Sequence, residues 1–257
     1  MLFAVDIGNT NIVMAVHDGA SWINIWRIHT DIHKTTDEYF VLLESLLKNC
    51  DPQKYDITDA VISSVVPNLN RALEKNVIRL FNINPIIINH DLKTGLVRES
   101  IPVELGSDLL CNLAQAHNLY PNKAVMVVDF GTALTMSCVN SKGEVEGVAI
   151  TPGLITAVNA LFGSTAQLPQ VQLKAPEKAM GRSSDCSIRS GIMFGYAGLV
   201  ESMIDRTEKQ LGVKLHVIAT GGLSSTISSL IPRIDEIEIN QTLDGLRYIA
   251  SLNKINN

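Results

Sequence analysis

The sequence is poor in the features that would place it outside the ordinary globular class. Its four cysteines, Cys50, Cys111, Cys138 and Cys186, are scattered through 257 residues with no C-x-x-C pair, so they offer no disulfide framework. They read as reduced thiols, small buried hydrophobes of a cytoplasmic protein. The six histidines do not cluster at ligand spacing, so no zinc site is expected. No apolar run approaches the ~20 residues that span a bilayer, so no membrane partner is expected. The chain reaches Asp6 with no basic stretch before it, which is unlike a signal peptide. There is no basic patch either: the formal net charge is -5 and the pI about 5.7, so no nucleic acid partner is expected.

What is present is 46% hydrophobic and 18% charged residues, enough for one large domain or two modest ones. Within this chain one short device occurs twice. Val5-Asp6-Ile7-Gly8-Asn9-Thr10 and Val128-Asp129-Phe130-Gly131-Thr132-Ala133 both end an apolar run in Asp, skip one residue, turn on Gly and meet Thr. Each reads as strand, tight turn, strand.

The surroundings repeat as well. Leu2–Ile7, Ile12–Val16 and Trp22–His29 read as strands, with an Asp18-Gly19 hairpin turn between the last two. Thr35-Thr36-Asp37-Glu38 caps a helix whose apolar face is Tyr39, Leu42, Leu43, Leu46 and Leu47. A strand Asp59–Val66, a helix Leu69–Phe81 and a strand Ile86–Ile88 follow. After a loop over His90–Glu104, a helix runs from Gly106-Ser107-Asp108 to Leu119. Strands Ala124–Val128, Leu134–Val139 and Val145–Ile150 then repeat the opening order. A helix begins at Pro152, with Leu154, Ile155, Val158 and Leu161 on its apolar face. Gly163–Ser184 is a long surface segment. A helix Ser187–Leu211, a strand Leu215–Ala219, a helix from Ser224 and a last helix Leu243–Leu252 complete the chain. Two halves of β-β-β-α-β type imply an internal duplication, divided as 1–118 and 119–257, with a ligand cleft between them.

The twin turns suit a nucleoside triphosphate. Asp6 and Asp129 are carboxylates whose useful partner beside phosphate is a cation, and Mg²⁺ takes one or two carboxylates plus phosphate oxygens. Gly8 and Gly131 leave room for phosphate, and Thr10 and Thr132 donate hydroxyls to it. A single copy reads as an ordinary hairpin turn; two in matching positions point to function. Gly106-Ser107-Asp108 reads either as a helix cap or as a carboxylate that takes a proton from a substrate hydroxyl. Thr220-Gly221-Gly222 is a helix-entry turn or a glycine bed for an adenosine. Gly181-Arg182-Ser183-Ser184 is a solvated loop or a segment that reaches a ligand or partner subunit. Arg98, Glu99 and Arg189 read as surface charges.

Taken in order, these motifs resemble the type III pantothenate kinases, members of the acetate and sugar kinase/Hsp70/actin superfamily. The residues that carry the resemblance are Asp6-Ile7-Gly8-Asn9-Thr10-Asn11, Ser63-Ser64-Val65-Val66-Pro67, Glu104-Leu105-Gly106-Ser107-Asp108 and Asp129-Phe130-Gly131-Thr132-Ala133. Further on they are Ile150-Thr151-Pro152-Gly153-Leu154, Thr165-Ala166-Gln167-Leu168-Pro169, Ser190-Gly191-Ile192 with Gly195, Thr220-Gly221-Gly222-Leu223 and Leu243-Asp244-Gly245-Leu246.

The resemblance implies an α/β fold of duplicated actin-like (ribonuclease H-like) domains, each a mixed sheet with three leading strands. It implies ATP-dependent phosphorylation of pantothenate, the first step of coenzyme A synthesis, by a homodimer. Asp108 matches the general base. Asp6, Ile7, Gly8, Asn9, Thr10, Asn11, Ile12 and Val13 match the ATP phosphate segment, with Thr132; Gly221 and Gly222 fall on the adenosine side. Gly106, Ser107, Asp108 and Leu109 match the pantothenate segment, and Ser184 falls on a threonine that contacts pantothenate. Asp129 matches a monovalent-cation ligand (K⁺ or NH₄⁺), and Mg²⁺ is the ATP counter-ion. The chain departs from the family pattern at Leu109, where Arg is usual, at Glu99-Ser100-Ile101-Pro102, and at Leu134, Ser137 and Val148. Two other readings stay open on these residues: a non-catalytic or regulatory relative that binds nucleotide, and a kinase of another small hydroxyl compound.

Overall fold

In a computed structural model, the structure describes residues 1–48, 56–163 and 171–254. Cys50 and the Thr165–Pro169 motif lie outside the described residues.

The first sheet is built from β1 (Leu2–Ile7), β2 (Asn11–His17), β3 (Trp22–His29), β4 (Asp59–Ser64) and β5 (Ile86–Ile87), in the order β3-β2-β1-β4-β5. β1 runs antiparallel to β2 and parallel to β4. Hemmed in on both edges and covered on both faces, β1 is apolar throughout except at Asp6, as a central strand must be. The edge strand β3 alternates instead between half-buried and exposed residues. The Asp18-Gly19 turn forms as the residues dictate: Asp18 Oδ1 accepts from the amides of Ala20 and Ser21 at 2.8 Å each, and Gly19 takes φ 108. At the start of α1 (Thr36–Lys48) the capping box closes both ways, Thr35 N–H to Glu38 Oε2 at 2.7 Å and Glu38 N–H to Thr35 Oγ1 at 3.3 Å. Tyr39, Leu43 and Leu47 are buried on its inner face. α2 (Pro67–Phe81) starts two residues earlier than the periodicity suggests, because Pro67 occupies the first helical turn, where its missing N–H costs nothing. β4 accordingly stops at Ser64 rather than Val66.

The second sheet repeats the arrangement with β6 (Ala124–Phe130), β7 (Ala133–Val139), β8 (Val145–Pro152), β9 (Leu215–Thr220) and β10 (Glu236–Ile237), in the order β10-β9-β6-β7-β8. β6 is again antiparallel to its hairpin partner and parallel to the next central strand. This is the duplicated actin-like topology read from the sequence. Each sheet packs its own core, Phe3, Ile62, Leu73 and Tyr39 in the first, and Val128, Phe130, Met193 and Ile204 in the second.

Some expectations are corrected. Pro152 closes β8, paired with Ala133, and does not open the helix; α4 runs Leu154–Gly163. Of the expected apolar face of α4 only Leu154 and Val158 are buried, while Ile155 is 54% and Leu161 39% exposed. α5 (Ser184–Leu211) begins earlier than Ser187, because Ser183 caps it by accepting from the Cys186 amide. The helix expected from Ser224 lasts one turn (α6, Ser224–Ile227) and passes into a 3₁₀ turn over Ser228–Leu230. Cys186 is exposed, whereas Cys111 and Cys138 are buried as expected. Arg189 is no surface charge: it pairs with Asp185 and donates to the Gln172 carbonyl at 3.2 Å, tying down the segment before α5.

The compact units are residues 1–115 together with 242–257, and residues 116–241. The division falls inside α3 (Ser107–Leu119), close to the expected boundary at 118. The expected assignment of the last helix is overturned, however: α7 (Gln241–Leu252) packs with the first unit. The reason lies in its polar groups. Asp244 accepts from Trp22 Nε1 at 2.9 Å, and Asn253 clamps both the amide and the carbonyl of Lys93.

Thr35→Ala is expected to lower stability by about 1 kcal/mol through loss of the cap. It should move the urea midpoint without changing the m-value or turnover.

Candidate active site

Each central strand delivers an aspartate to the last-but-one place before its turn. Asp6 lies in register with Val13 on one side and Ser63 on the other, and Asp129 with Thr135 and Thr220. Both aspartates are half-buried, and the parallel neighbour carries a buried hydroxyl in each case.

The turns that follow are braced in the same way. Thr30, just after β3, donates its N–H to the Thr10 carbonyl at 2.9 Å and its hydroxyl to the Gly8 carbonyl at 2.7 Å. Gly153, just after β8, donates its N–H to the Thr132 carbonyl at 2.9 Å, and Thr156 adds its hydroxyl to the same oxygen at 2.7 Å. A Cβ at Gly153 would overlap the Gly131 carbonyl, so the strand end and the turn meet backbone to backbone. Thr30, Gly153 and Thr156 are the bracing residues that the local motifs did not single out; Gly153 alone left a trace, inside the Ile150–Leu154 motif. The braces stiffen each turn from behind and leave Asn9, Asn11 and Thr132 exposed at its tip. Such a tip can present amides and hydroxyls to phosphate without reorganising.

Ile7 and Ile12 are fully buried and pair across the first hairpin. Their side chains belong to the core, and only their backbone shapes the turn. Val13 is half-buried beside them.

Gly221 sits directly against the second turn. It holds φ 90, and a Cβ there would overlap Asp129 Oδ1 and lie 2.7 and 2.8 Å from the Phe130 backbone. The Asp129 carboxylate thus occupies a cradle that exists only because Gly221 has no side chain. Gly222, by contrast, opens onto free space.

Asp108 belongs to the first turn of α3. Ser107 fixes this end of the helix: its hydroxyl accepts the Ser64 amide at 2.9 Å, lies 3.0 Å from the Ser64 carbonyl and 2.9 Å from the Ser63 hydroxyl. Since Ser63 stands beside Asp6, the start of α3 is sewn to the strand next to the first turn. A Cβ at Gly106 would lie 2.6 Å from Asp108 Oδ1, so glycine there keeps the carboxylate's place open. Burial pushes the Asp108 carboxyl above the usual carboxylate range, against the amides of Leu109 and of Asp108 itself, which favour the anion. Burial first, then the nearby charges of Asp6 and Asp108, pushes the Cys111 thiol well up. Both carboxylates therefore act on one buried thiol of the first unit.

Leu109 is only 8% exposed, so its side chain has no free surface for a polar ligand. Ser137 is buried within β7, Val148 is half-buried in β8, and Glu99 is exposed on a 3₁₀ turn, Arg98–Ser100. Ser184 is the exposed first residue of α5. Among the described residues no group of three His, Cys, Asp or Glu side chains could hold a metal ion, and no helix is long and apolar enough to cross a membrane.

A family model described as Type III pantothenate kinase matches residues 2–206. Curated proteins named Type III pantothenate kinase are similar over full length. One from Syntrophobacter fumaroxidans is 39% identical over 258 residues, covering 100% of each chain. Another, from Geotalea daltonii, is 38% identical over 255 residues and 99% of each. Among solved structures, a Baf-family transcriptional activator from Campylobacter jejuni aligns with a TM-score of 0.62 at 17% identity over 98% of both chains. The activator of 2-hydroxyisocaproyl-CoA dehydratase from Clostridium difficile, with bound ADPNP, aligns with a TM-score of 0.55 at 14% identity over 100% of this chain and 98% of that one. These two likenesses concern the fold.

Gly221→Ala is expected to cost on the order of 1–3 kcal/mol from backbone strain, before the overlap with Asp129 is added. Gly222→Ala should stay within roughly 0.5 kcal/mol of wild type. Denaturant titration of the pair checks the contrast.

Proposed function

The chain belongs to the type III pantothenate kinase family, and on that premise we propose how its residues divide the reaction. The activity is ATP-dependent phosphorylation of pantothenate, the first step of coenzyme A synthesis.

Asp108 is the general base. Its carboxylate takes the proton of the pantothenate primary hydroxyl as that oxygen bonds to the γ-phosphorus, and ADP leaves with the bridging oxygen and its electron pair. The observation that carries this reading is the seat of Asp108: a half-buried carboxyl whose proton affinity desolvation raises, at a helix start pinned by Ser107 to Ser63 and Ser64. A base is more effective as its proton affinity nears the working pH. The pantothenate side takes Gly106, Ser107 and the Leu109 backbone, with the exposed Ser184 hydroxyl.

The braced turns hold phosphate. The segment Asp6–Val13 supplies the Thr10 and Asn11 side chains and backbone amides, with Thr132 from the second turn. Gly221 and Gly222 receive the adenosine. Mg²⁺ arrives with ATP as its counter-ion and needs no dedicated cage of carboxylates. Asp129 fits a monovalent cation such as K⁺ or NH₄⁺. Its carboxylate lies against the backbone of Phe130 and Gly221 at the end of a central strand, and a carboxylate oxygen is a hard ligand suited to such an ion. When bound, that cation supplies positive charge for phosphate oxygens.

The partner assigned is a second copy of the chain. The outer face of α5 carries exposed Ser187, Gly191, Gly195 and Gly198 around Phe194, and glycines there permit close approach. The cytoplasmic placement is supported by the scattered cysteines, of which Cys111, Cys138 and Cys186, among the described residues, form no disulfide.

Asp108→Asn is expected to lower turnover about 10²–10⁴-fold while leaving ATP binding, read by calorimetry, unchanged. The same variant tests the burial. Because the folded carboxyl holds its proton above the ordinary value, Asp108 contributes stability below the usual carboxylate pKa and loses it as pH rises through the folded value. The Asn variant is thus expected to melt above wild type at about pH 8 and to match it near pH ~3. For Asp129→Asn, exchanging K⁺ for a bulky organic cation should no longer change turnover, whereas in wild type it should lower it.

A further inference from the structure

We infer that Gly245 is a positioning residue for Asp108, acting through a backbone contact between α7 and α3. The inference rests on the reading of Asp108 as the base.

Ser107 fixes where α3 starts, but one bonded end does not fix the helix axis. The second support lies one turn on, at Cys111, which is fully buried and three residues past Asp108. There the backbone of α7 touches the backbone of α3. A Cβ at Gly245 would overlap the Cys111 carbonyl oxygen and lie 2.5 Å from its carbonyl carbon and 2.9 Å from its Cα. These are main-chain atoms of a helix, so no side-chain rotation relieves the clash. Reaching ordinary carbon contact requires one helix to shift by on the order of 1 Å. Close by, Thr242 donates its hydroxyl to Asn112 Oδ1 on α3 at 2.8 Å.

α7 cannot readily be the helix that yields. Leu243, Leu246 and Ile249 are buried on its inner face. Asp244 is bonded to Trp22 Nε1 at 2.9 Å, Tyr248 packs over Gly95, and Asn253 clamps Lys93. α3 is packed as well, through buried Leu110 and Leu113, so the two helices share the displacement, and the part that α3 takes moves the first turn that carries the base. A misplacement of about 1 Å at a reacting group costs roughly 10²-fold in rate.

The experiment compares Gly245→Ala, Thr242→Val and Leu246→Ala with wild type. It measures turnover per nucleotide-binding molecule, counted by ATP titration, and KM for ATP. For Gly245→Ala we expect turnover per binding site to fall about 10²-fold with KM for ATP unchanged. Thr242→Val, which removes only the neighbouring hydrogen bond and folds more readily, should show a smaller fall of the same kind. Leu246→Ala empties the core beneath α7 without pressing on Cys111. It should lower the melting temperature at least as much, yet keep wild-type turnover per site. Wild-type turnover per site in Gly245→Ala, or an equal fall in Leu246→Ala, would overturn the inference. Should Gly245→Ala fail to fold, wild-type turnover in Thr242→Val overturns it instead. The underlying reading fails separately, if Asp108→Asn itself retains turnover.

Discussion

The Ser107 hydroxyl joins the helix that carries Asp108 to the strand end next to Asp6. It accepts from the Ser64 amide and, with Ser63 beside it and the Ser64 carbonyl as acceptor, uses its full hydrogen-bonding capacity. Without that seam, a helix beginning after a long irregular loop would have no reason to present a carboxylate at one place. Burying that carboxylate is unfavourable for the folded protein, since desolvation raises its proton affinity. A protein selected for stability alone would gain by replacing Asp108, and its place at a pinned, half-buried helix start is what the role proposed for it requires.

The two units solve one problem twice. In both, a central strand ends in Asp, a glycine turn follows, and the residue after the third strand donates its amide to the turn threonine's carbonyl, Thr30 to Thr10 and Gly153 to Thr132. The copies then diverge around the aspartate. In the first unit the parallel strand offers Ser63 to α3. In the second it ends in Thr220 and Gly221, and the glycine opens a cradle for the Asp129 carboxylate. Duplicated scaffolding with divergent ends allows the two halves to take the different roles proposed for them.

The strands and the twin turns were legible because their signal is local: β-branched runs, Asp-x-Gly, a capping box, Pro at a helix start. Asp108 was legible only as one of two readings, because a helix cap and a base use the same residue type at the same place; its raised proton affinity and the Ser107 seam depend on partners distant in sequence. The role of Leu109 was hidden, since the sequence shows a missing Arg but not that the position faces the core. The braces from Thr30 and Thr156, and the return of α7 to the first unit, depend on partners far away in sequence, which no local pattern encodes. Gly245 belongs to the same class, for a glycine inside a helix reads as a weakness until the neighbouring backbone is seen.

In the reaction proposed above, the Asp108 carboxylate loses its proton before pantothenate reacts. Turnover at saturating ATP and pantothenate, followed as pH is lowered, tests this most directly. The expected profile falls on the acid side with a midpoint above the ordinary aspartate value of 3.8, in the direction that burial shifts Asp108. A rate that stays level down to the pH at which the protein unfolds would contradict the account.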